Sequence, residues 1–394
     1  MTATPTGVTA PQGFTAAGVE AGLKAHGGRD VALVVNTGPR RSSAGVFTSN
    51  RIVAAPVTLT RAHLESSTLS AVVLNSGGAN ACTGTPGAAD AQATAERVAA
   101  GLGLDAREVG VCSTGLIGER LPMDLLMAGV DAAVETLAEG PGASAAAADA
   151  IRTTDTVPKT TRKAGGGTWC IGGMAKGAGM LAPGLATMLC VLTTDAVLGS
   201  DVLRACLREA VRTTFNRTDS DGCMSTNDSV ILLASGASGE TPGEGEFTEV
   251  LRTACADLAR QLIGDAEGAS HDIEIRVTGA SDEAAGEAIA RAVSRSNLFK
   301  AAVFGNDPNW GRVLSEVGTV PADVAPYSPD EVDVSINGVM VCRGGGVGEA
   351  RDLVDMTPRE CHVLVDLHAG DADVTLWTND LTHDYVHENS AYSS

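Results

Sequence analysis

The chain has 394 residues and a mass of 39.8 kDa, enough to bury a large core and to divide into more than one lobe. Apolar residues make up 44% and charged residues 19%, a balance that is typical of globular proteins and excludes disordered or fibrous classes. The 28 Lys and Arg against 48 Asp and Glu give a net charge of −20, which would repel nucleic acid and anionic membranes. A local Lys or Arg in a cleft can still hold a small anionic substrate.

Short β-like runs alternate with Ala-rich helical stretches along the chain. Apolar runs predict strands at residues 31–36, 44–48, 57–60, 71–75, 109–112, 189–193, 230–234, 273–277, 332–336, 362–367 and 374–377. Helical periodicity is clearest at residues 88–102, 124–137, 201–214, 247–263, 282–294 and 309–317. This interleaving predicts an α/β or α+β fold. Gly- and Pro-rich clusters predict loops at residues 75–87, 139–144, 163–169, 176–184 and 239–246.

The nine cysteines are odd in number and scattered among apolar residues, which predicts reduced core thiols. No Cys-x-x-Cys pair and no His-Glu-x-x-His helix occurs, so we expect no zinc site. The first residues lack the basic and apolar segments of a secretory signal, and no apolar run reaches about 18 residues. We therefore expect a cytoplasmic protein. The absence of Gly-Lys-Ser/Thr and Gly-x-Ser-x-Gly motifs argues against a P-loop ATPase or an α/β-hydrolase.

A candidate nucleophile stands where the Gly-rich loop 176–184 gives way to a predicted strand. Thr187 at this junction can attack the carbonyl of Ala186 with its hydroxyl and split the chain. The new α-amine, with an ordinary pKa of about 7.7–8.0, can then act as general base for the same hydroxyl. Because β-branched residues favour strands, Thr187 by itself is better explained as an ordinary strand residue.

Several motifs, spread in order over nearly the whole chain, change this interpretation. They are NSGGANACTG (75–84), CSTGLIGERLPM (112–123), TTDTVPK (153–159), KGAGML (176–181), LATML (185–189), VLTTDA (191–196), DGCMSTND (221–228), DAEGAS (265–270), GNDPNWGRV (305–313) and ENSAYSS (388–394). Together they resemble ornithine acetyltransferase, the glutamate N-acetyltransferase family of arginine biosynthesis. The resemblance departs from the family at Ala266 and His271, where Gly and Lys are expected, and is looser over residues 294–302.

The resemblance implies cleavage between Ala186 and Thr187, giving an alpha chain of residues 1–186 and a beta chain of residues 187–394 that begins with the nucleophile. It also implies an oxyanion hole and a set of substrate contacts. The oxyanion hole is formed by Thr114 and Gly115, and the substrate contacts are Thr153, Lys176, Thr187, Glu267, Asn389 and Ser394. A Lys ammonium suits an α-carboxylate and a Glu carboxylate suits the side-chain ammonium of ornithine. Taken alone, Thr114 and Gly115 are better explained as a turn or helix cap after the predicted strand 109–112.

The fold implied by the resemblance is the α/β, αββα arrangement of self-processing Thr-nucleophile enzymes, with a C-terminal α/β lobe. The implied reaction moves the acetyl group of N²-acetylornithine to glutamate through an acetyl-Thr187 intermediate. It requires no metal or organic cofactor, and its partners are small-molecule substrates and the two cleavage chains, associated as a heterotetramer of two alpha and two beta chains. Acetyl-CoA is a possible second acetyl donor for the same enzyme. The alternative functions are an amide hydrolase on a related fold and an uncleaved binding protein.

Overall fold

A computed structural model describes residues 6–66, 68–181 and 188–391. They form two compact units, each considered by itself. The first unit consists of the chain up to Asn216 together with Cys223–Leu262, and the second of Arg217–Gly222 together with the chain from Ile263 onward. None of the described helices is long and apolar enough to span a membrane.

The first unit contains a four-stranded and a five-stranded sheet. Its strands are β1 (Phe14–Val19), β2 (Val31–Asn36), β3 (Ser42–Phe47), β4 (Ala71–Ser76), β5 (Val109–Thr114), β6 (Lys159–Ala164), β7 (Cys170–Lys176), β8 (Leu189–Thr194) and β9 (Ser229–Ala234). Strand order is β1-β2-β4-β5 in one sheet and β3-β9-β8-β7-β6 in the other. The pairs β4–β5 and β8–β9 are parallel, and the remaining pairs of these two sheets are antiparallel.

Helices cover the outer faces of the two sheets. The helices of this part of the chain are α1 (Ala55–Ser66), α2 (Gly84–Leu102), α3 (Met123–Glu135), α4 (Pro141–Ala150), α5 (Ser200–Arg212) and α6 (Glu244–Gly264). Along β2, Leu33 packs with α2 and α3 while Val34 packs against the other sheet. Along β8, Leu192 packs with α5 and α6 while Val191 faces the inter-sheet core. Because alternate residues of a strand face opposite sides, both sheets are buried on two faces, and the layer order is αββα, as predicted.

The second unit contains a six-stranded mixed sheet packed against helices. Its strands are β10 (Asp272–Ala280), β11 (Asp333–Ile336), β12 (Val339–Arg343), β13 (Gly346–Val347), β14 (Glu360–Asp366) and β15 (Ala372–Asn379), in the order β13-β12-β11-β14-β10-β15. Its helices are α7 (Glu283–Ser294), α8 (Asn297–Phe304), α9 (Trp310–Val317) and α10 (His383–Ala391). Ile275 and Val277 of β10 share one apolar core with Ile289 and Val293 of α7. This unit confirms the predicted C-terminal α/β lobe.

The strand predicted at residues 57–60 is wrong, because these residues lie within α1. Pro56 is tolerated in the first turn of a helix, where its missing N–H has no acceptor to lose. Val57, Thr60 and His63 are buried at a spacing of three residues, which is a helical face. The alternation of Val57 and Leu59 imitates a strand only over this short window.

The loop predicted at residues 139–144 is also partly wrong. Gly140 has a φ of +88° and Pro141 opens α4 directly after it. Pro is favoured at the first helical position, so this Gly-Pro pair marks a helix start rather than the interior of a loop.

Strand β7 escaped prediction because Gly172 and Gly173 interrupt its apolar pattern. A Cβ on Gly173 would lie 2.7 Å from Cδ2 of Leu192 on the adjacent β8. Glycine here permits close packing beside the neighbouring strand.

The prediction of core thiols holds for seven of the nine cysteines, which are buried and free. It is wrong for Cys82 and Cys223, which are exposed. Both lie in loops outside the helices and strands, in segments rich in polar and Gly residues.

Candidate active site

Three of the predicted site residues of the first unit lie together, two of them at the ends of strands. Thr114 is the last residue of β5 and Lys176 the last residue of β7, and both side chains are buried. Lys176 Nζ donates a hydrogen bond to Thr153 Oγ1 at 2.7 Å and to Thr114 Oγ1 at 3.4 Å. A buried ammonium between two hydroxyls can stabilise negative charge that develops beside them.

A buried charge cluster supports Lys176 from behind. Asp155 accepts from Lys159 Nζ at 2.6 Å and from the N–H of Gly177 at 2.6 Å, and its Oδ2 lies 3.9 Å from Lys176 Nζ. Burial alone would raise the pKa of Asp155, but the ammoniums of Lys176 and Lys159 and the N–H of Gly177 lower it to about 2. Two ammoniums and one carboxylate give this cluster an excess positive charge, which suits an anionic ligand or transition state.

The turn after β5 requires glycine. Gly115 has a φ of +130°, and a Cβ there would lie 2.5 Å from the backbone nitrogen of Gly78. The N–H of Gly78 donates to the carbonyl of Thr114 at 3.0 Å, which closes this turn on the loop after β4. Gly115 therefore lies beside Thr114 in a backbone conformation that other residues rarely adopt.

The segment before β9 joins three parts of the site, and no role for it was predicted from the sequence. Asn227 Nδ2 donates to the carbonyls of Ala79 and Ser113 at 2.6 and 2.8 Å. Asp228 Oδ1 accepts from the backbone N–H of Met188 at 2.9 Å. The signal available in the sequence was the motif DGCMSTND, in which Asn and Asp precede a buried strand. Ala186 and Thr187 lie outside the described residues.

In the second unit, Glu267 and Asn389 contact each other. Asn389 Nδ2 donates to Glu267 Oε2 at 2.9 Å and to the carbonyl of Tyr385 at 3.0 Å. Asn389 belongs to α10. The polar composition of the C-terminal segment would favour a frayed end, but the segment is helical up to Ala391. Ser394 lies outside the described residues.

The departure at His271 is accommodated locally. His271 is buried, and its Nδ1 lies 2.8 Å from Asp380 Oδ2 while its Nε2 lies 3.2 Å from the carbonyl of Met356. Ala266 is also buried. Neither residue disturbs the contact between Glu267 and Asn389.

Glu267 also lines a cavity of about 290 Å³ within the second unit. Charged side chains of both signs line this cavity, and among them only Glu267 was predicted from the sequence. They include Arg295, Lys300 and Asp380. Burial lowers the pKa of Lys300, whose Nζ donates to the carbonyl of Ser220. A small cavity with both signs of charge suits a zwitterionic ligand.

The αββα fold and a buried ammonium held between two hydroxyls define an α/β enzyme with an anion-stabilising centre. The ArgJ family model matches residues 15–394. The arginine biosynthesis bifunctional protein ArgJ of Streptomyces coelicolor is 61% identical over 387 residues, covering 98% of this chain and 100% of its own. That of Bifidobacterium longum is 57% identical over 389 residues, with the same coverage of both chains.

A crystal structure of ornithine acetyltransferase from Mycobacterium tuberculosis, complexed with ornithine, is 55% identical over 47% of this chain and 96% of its own, with a TM-score of 0.45. The family match and the full-length relatives together establish that the chain belongs to the ArgJ family. It is accordingly an enzyme, an acetyltransferase of arginine biosynthesis, as the resemblance predicted.

Proposed function

We propose that the protein transfers the acetyl group of N²-acetylornithine to glutamate through an acetyl-Thr187 intermediate, after cleaving itself between Ala186 and Thr187. The observation that carries the proposal is the buried ammonium of Lys176 at the end of β7, which donates to the hydroxyl of Thr114 at the end of β5 and to the hydroxyl of Thr153. Met188, the residue that follows Thr187, is described and directly precedes β8. Because β7 and β8 are adjacent antiparallel strands, the start of β8 lies beside the end of β7, where Lys176 stands.

In the first half-reaction, the Thr187 hydroxyl attacks the acetyl carbonyl while the α-amine of Thr187 accepts its proton. Thr114 and the N–H of Gly115 stabilise the oxyanion, aided by the positive charge of Lys176. Ornithine leaves with the proton returned by the amine, and the acetyl group remains esterified to Thr187. Glutamate then attacks this ester through its amine and departs as N-acetylglutamate.

The charges of the second unit support an amino-acid substrate. Glu267 is a partner for the side-chain ammonium of ornithine, and Lys176 is a partner for an α-carboxylate. Asn389 holds Glu267 through one hydrogen bond and orients its carboxylate. The relatives are named bifunctional, which favours acetyl-CoA as a second acetyl donor.

Cleavage would produce an alpha chain of residues 1–186 and a beta chain of residues 187–394. These chains stay associated, as a heterotetramer of two alpha and two beta chains, and the enzyme acts in the cytoplasm without a metal or organic cofactor. Mass spectrometry and sedimentation of the purified protein test the two fragments and their assembly.

The first prediction tests the covalent intermediate. Purified wild-type protein should yield a fragment beginning Thr-Met-Leu-Cys, and Thr187→Ala should stay uncleaved and inactive because no hydroxyl remains to attack. Double-reciprocal plots for acetylornithine at several glutamate concentrations should be parallel, as a ping-pong mechanism requires. Conserving the hydroxyl in Thr187→Ser provides the matched control and should restore part of both activities.

Intersecting plots would contradict the acetyl-enzyme and favour direct transfer in a ternary complex. Hydrolysis faster than transfer at saturating glutamate would favour an amide hydrolase. An intact chain that is fully active would contradict self-cleavage. Replacing acetylornithine by acetyl-CoA in the same assay decides whether the enzyme has two donors.

A further inference from the structure

A cleft on the first unit gathers positive charge in a chain whose net charge is −20. It has a volume of about 540 Å³ and is lined by the outer strand β3 and by the helices α1 and α5. The charged side chains in it are three arginines and one glutamate, namely Arg61, Arg204, Arg208 and Glu65. A cleft in which one sign of charge predominates attracts the opposite sign even when the whole protein repels it. This arginine cleft therefore suits an anion.

The two arginines of α5 can accept a ligand in place of their present contacts. Arg204 and Arg208 are one helical turn apart, so both project from the same face of α5. The side chain of Arg208 forms no hydrogen bond or ion pair with any described residue, and Arg204 contacts the exposed Asp201 at 3.0 Å. Because an exposed ion pair contributes little, Asp201 competes weakly with a phosphate, to which a guanidinium donates two parallel hydrogen bonds.

Arg61 stands on the opposite side of the cleft, beside an aromatic ring. Its Cζ lies 5.5 Å from the centroid of the Phe47 ring, within the range of a cation–π contact. Glu65 is one turn further along α1, but it forms no ion pair with Arg61 or with any other described residue. An aromatic ring with an adjacent guanidinium is the kind of surface on which a nucleotide base stacks.

The backbone of β3 supplies further donors to the cleft. The N–H of Thr48 donates to the carbonyl of Asp228 at 3.0 Å, so the even-numbered residues of β3 direct their backbone groups towards β9. The N–H of Ser43 points the other way and donates to a side-chain hydroxyl of α5 at 3.1 Å. By the same alternation, the N–H groups of Gly45 and Phe47 point away from β9, towards the cleft.

An added strand fits this edge less well than a small ligand does. Since α5 takes the N–H of Ser43, the outward backbone of β3 within the cleft is limited to Gly45 and Phe47, whereas strands usually have three residues or more. Helices and charged side chains beside an edge strand are also among the ways in which proteins prevent strand addition. The cleft is therefore better matched to a compact anion with several acceptor oxygens.

One end of the cleft lies at the same end of the sheet as the candidate active site. Phe47 of β3 pairs with Ser229 of β9. Ser229 pairs in turn with Leu189 of β8, and Leu189 pairs with Lys176 of β7. Along this row Phe47 and Lys176 are about 14 Å apart, which is three strand spacings of about 4.8 Å. An acetyl donor held in the cleft by an anionic head therefore needs an extended arm to bring its acetyl group to the active site.

We propose that the arginine cleft binds the nucleotide part of acetyl-CoA, with its phosphates on Arg204 and Arg208 and its adenine beside Arg61 and Phe47. This inference rests on the proposed function, in which acetyl-CoA is the second acetyl donor. Coenzyme A carries a 3′-phosphate and a diphosphate at one end and the acetyl thioester at the other, joined by the extended pantetheine arm. Acetylornithine has neither phosphate nor adenine, so the cleft serves one donor and not the other.

The experiment uses the purified full chain and compares wild type with three variants. They are the double substitution Arg204→Gln with Arg208→Gln, the single substitution Arg61→Gln, and the control Arg97→Gln, which removes an exposed arginine that pairs with Asp131 outside the cleft. Calorimetric titration with CoA, 3′-dephospho-CoA and inorganic phosphate measures binding without turnover. Steady-state assays with glutamate measure kcat and KM for acetyl-CoA and for acetylornithine.

Wild type should bind CoA about tenfold more tightly than 3′-dephospho-CoA, because a charged hydrogen-bonded contact contributes about that factor. The double substitution should remove this preference and raise the KM for acetyl-CoA by on the order of 10–10²-fold. Arg61→Gln should raise the same KM by about threefold. With acetylornithine as donor, kcat, KM and the melting temperature of every variant should stay within about twofold of wild type, since the substituted side chains are exposed or half-buried.

An unchanged KM for acetyl-CoA in the double substitution would overturn the inference, as would a wild-type chain that neither binds CoA nor uses acetyl-CoA. If the double substitution fails to fold, Arg208→Gln alone decides, and it should raise that KM by about tenfold. Inorganic phosphate bound as tightly as CoA would make the cleft a general anion site, and variants that dissociate the assembly in sedimentation would make it a contact between copies of this chain. Either result contradicts the assignment to CoA. Failure of wild type to transfer from acetylornithine would defeat the proposed function, whereas CoA binding by the cleft is measured independently of that reaction.

Discussion

The predicted site residues of the two units differ in how the protein holds them. In the first unit, Thr114 and Lys176 are buried at the ends of strands, and a buried carboxylate compensates part of the charge. In the second unit, Glu267 is half-buried and Asn389 is exposed on the last helix, and one direct hydrogen bond joins them. The first arrangement is shielded from solvent at Thr114 and Lys176 and exposed only at Thr153, whereas the second is solvated.

Because of this difference, we expect the site residues of the first unit and those of the second unit to have different roles. An ammonium in a dry, preorganised setting interacts strongly with charge that develops in a transition state. A solvated carboxylate is screened, so it contributes orientation and selectivity more than rate. We therefore expect substitutions in the first unit to act mainly on kcat and those in the second mainly on substrate positioning.

The largest expected effect in this comparison concerns Thr114. Thr114→Val keeps the shape but removes the hydroxyl beside Lys176, so kcat should fall by on the order of 10²–10³-fold with a smaller change in KM. Steady-state kinetics on the processed enzyme measure it. Thr136→Val, at an exposed hydroxyl that bonds only within its own helix end, serves as the control. An unchanged kcat would make Thr114 an ordinary turn residue.

Removing residues 389–394 should have the next largest effect. The deletion takes away Asn389, which orients Glu267, and should lower kcat/KM by on the order of 10²-fold because the ligand loses its position. Helix α10 has no buried residue, so cleavage at Thr187 and the melting temperature should stay nearly unchanged. Full activity after deletion would remove Asn389 and Ser394 from the site, and an unfolded product would contradict the expected independence of the tail from the core.

The layered fold was predictable because its strands are buried on both faces. Continuous apolar runs such as residues 230–234 and 189–193 match β9 and β8 to within one residue at either end. Strand β7 escaped prediction because its local composition opposes its structure. Gly172 and Gly173 interrupt the apolar pattern of β7. Glycine at position 173 allows close packing against Leu192 of β8, a contact that the local sequence does not indicate.

Only the family resemblance predicted which residues to group as a candidate site, and the structure brings three of them into contact. Thr114, Thr153 and Lys176 are far apart in the sequence, and no periodicity indicates that they meet. Asp155 and Asp228 were missed because an acidic residue in a polar motif looks solvated until the fold buries it. The charge state of such groups depends on burial and on neighbours from other elements, which a single sequence does not reveal.

The smallest expected effect is on the pH dependence of the free energy of unfolding, which should differ between a buried charge and a solvated one. The folded-state pKa of Asp155, about 2, lies below its ordinary 3.8, so its stabilising contribution is fully present above about pH 4 and is lost as pH falls towards 2. This shift corresponds to about 2 kcal/mol. Asp373 of the second unit also has a lowered pKa, chiefly from its hydrogen bond with Arg276, but that pair is solvated and contributes little to stability.

Urea unfolding of the first unit, followed through the fluorescence of buried Trp169, should therefore lose about 2 kcal/mol between pH 4 and pH 2 from Asp155 alone. The double substitution Asp155→Asn and Lys159→Met removes both charges of this pair. It should flatten the plot of unfolding free energy against pH between pH 4 and pH 2, since neither member of the pair is then left buried with an uncompensated charge. Asp373→Asn should leave the same curve unchanged. A wild-type curve that is flat between pH 4 and pH 2, or one that the paired substitution does not alter, would show that the cluster behind Lys176 is hydrated, and the expected contrast between the two units would then be lost.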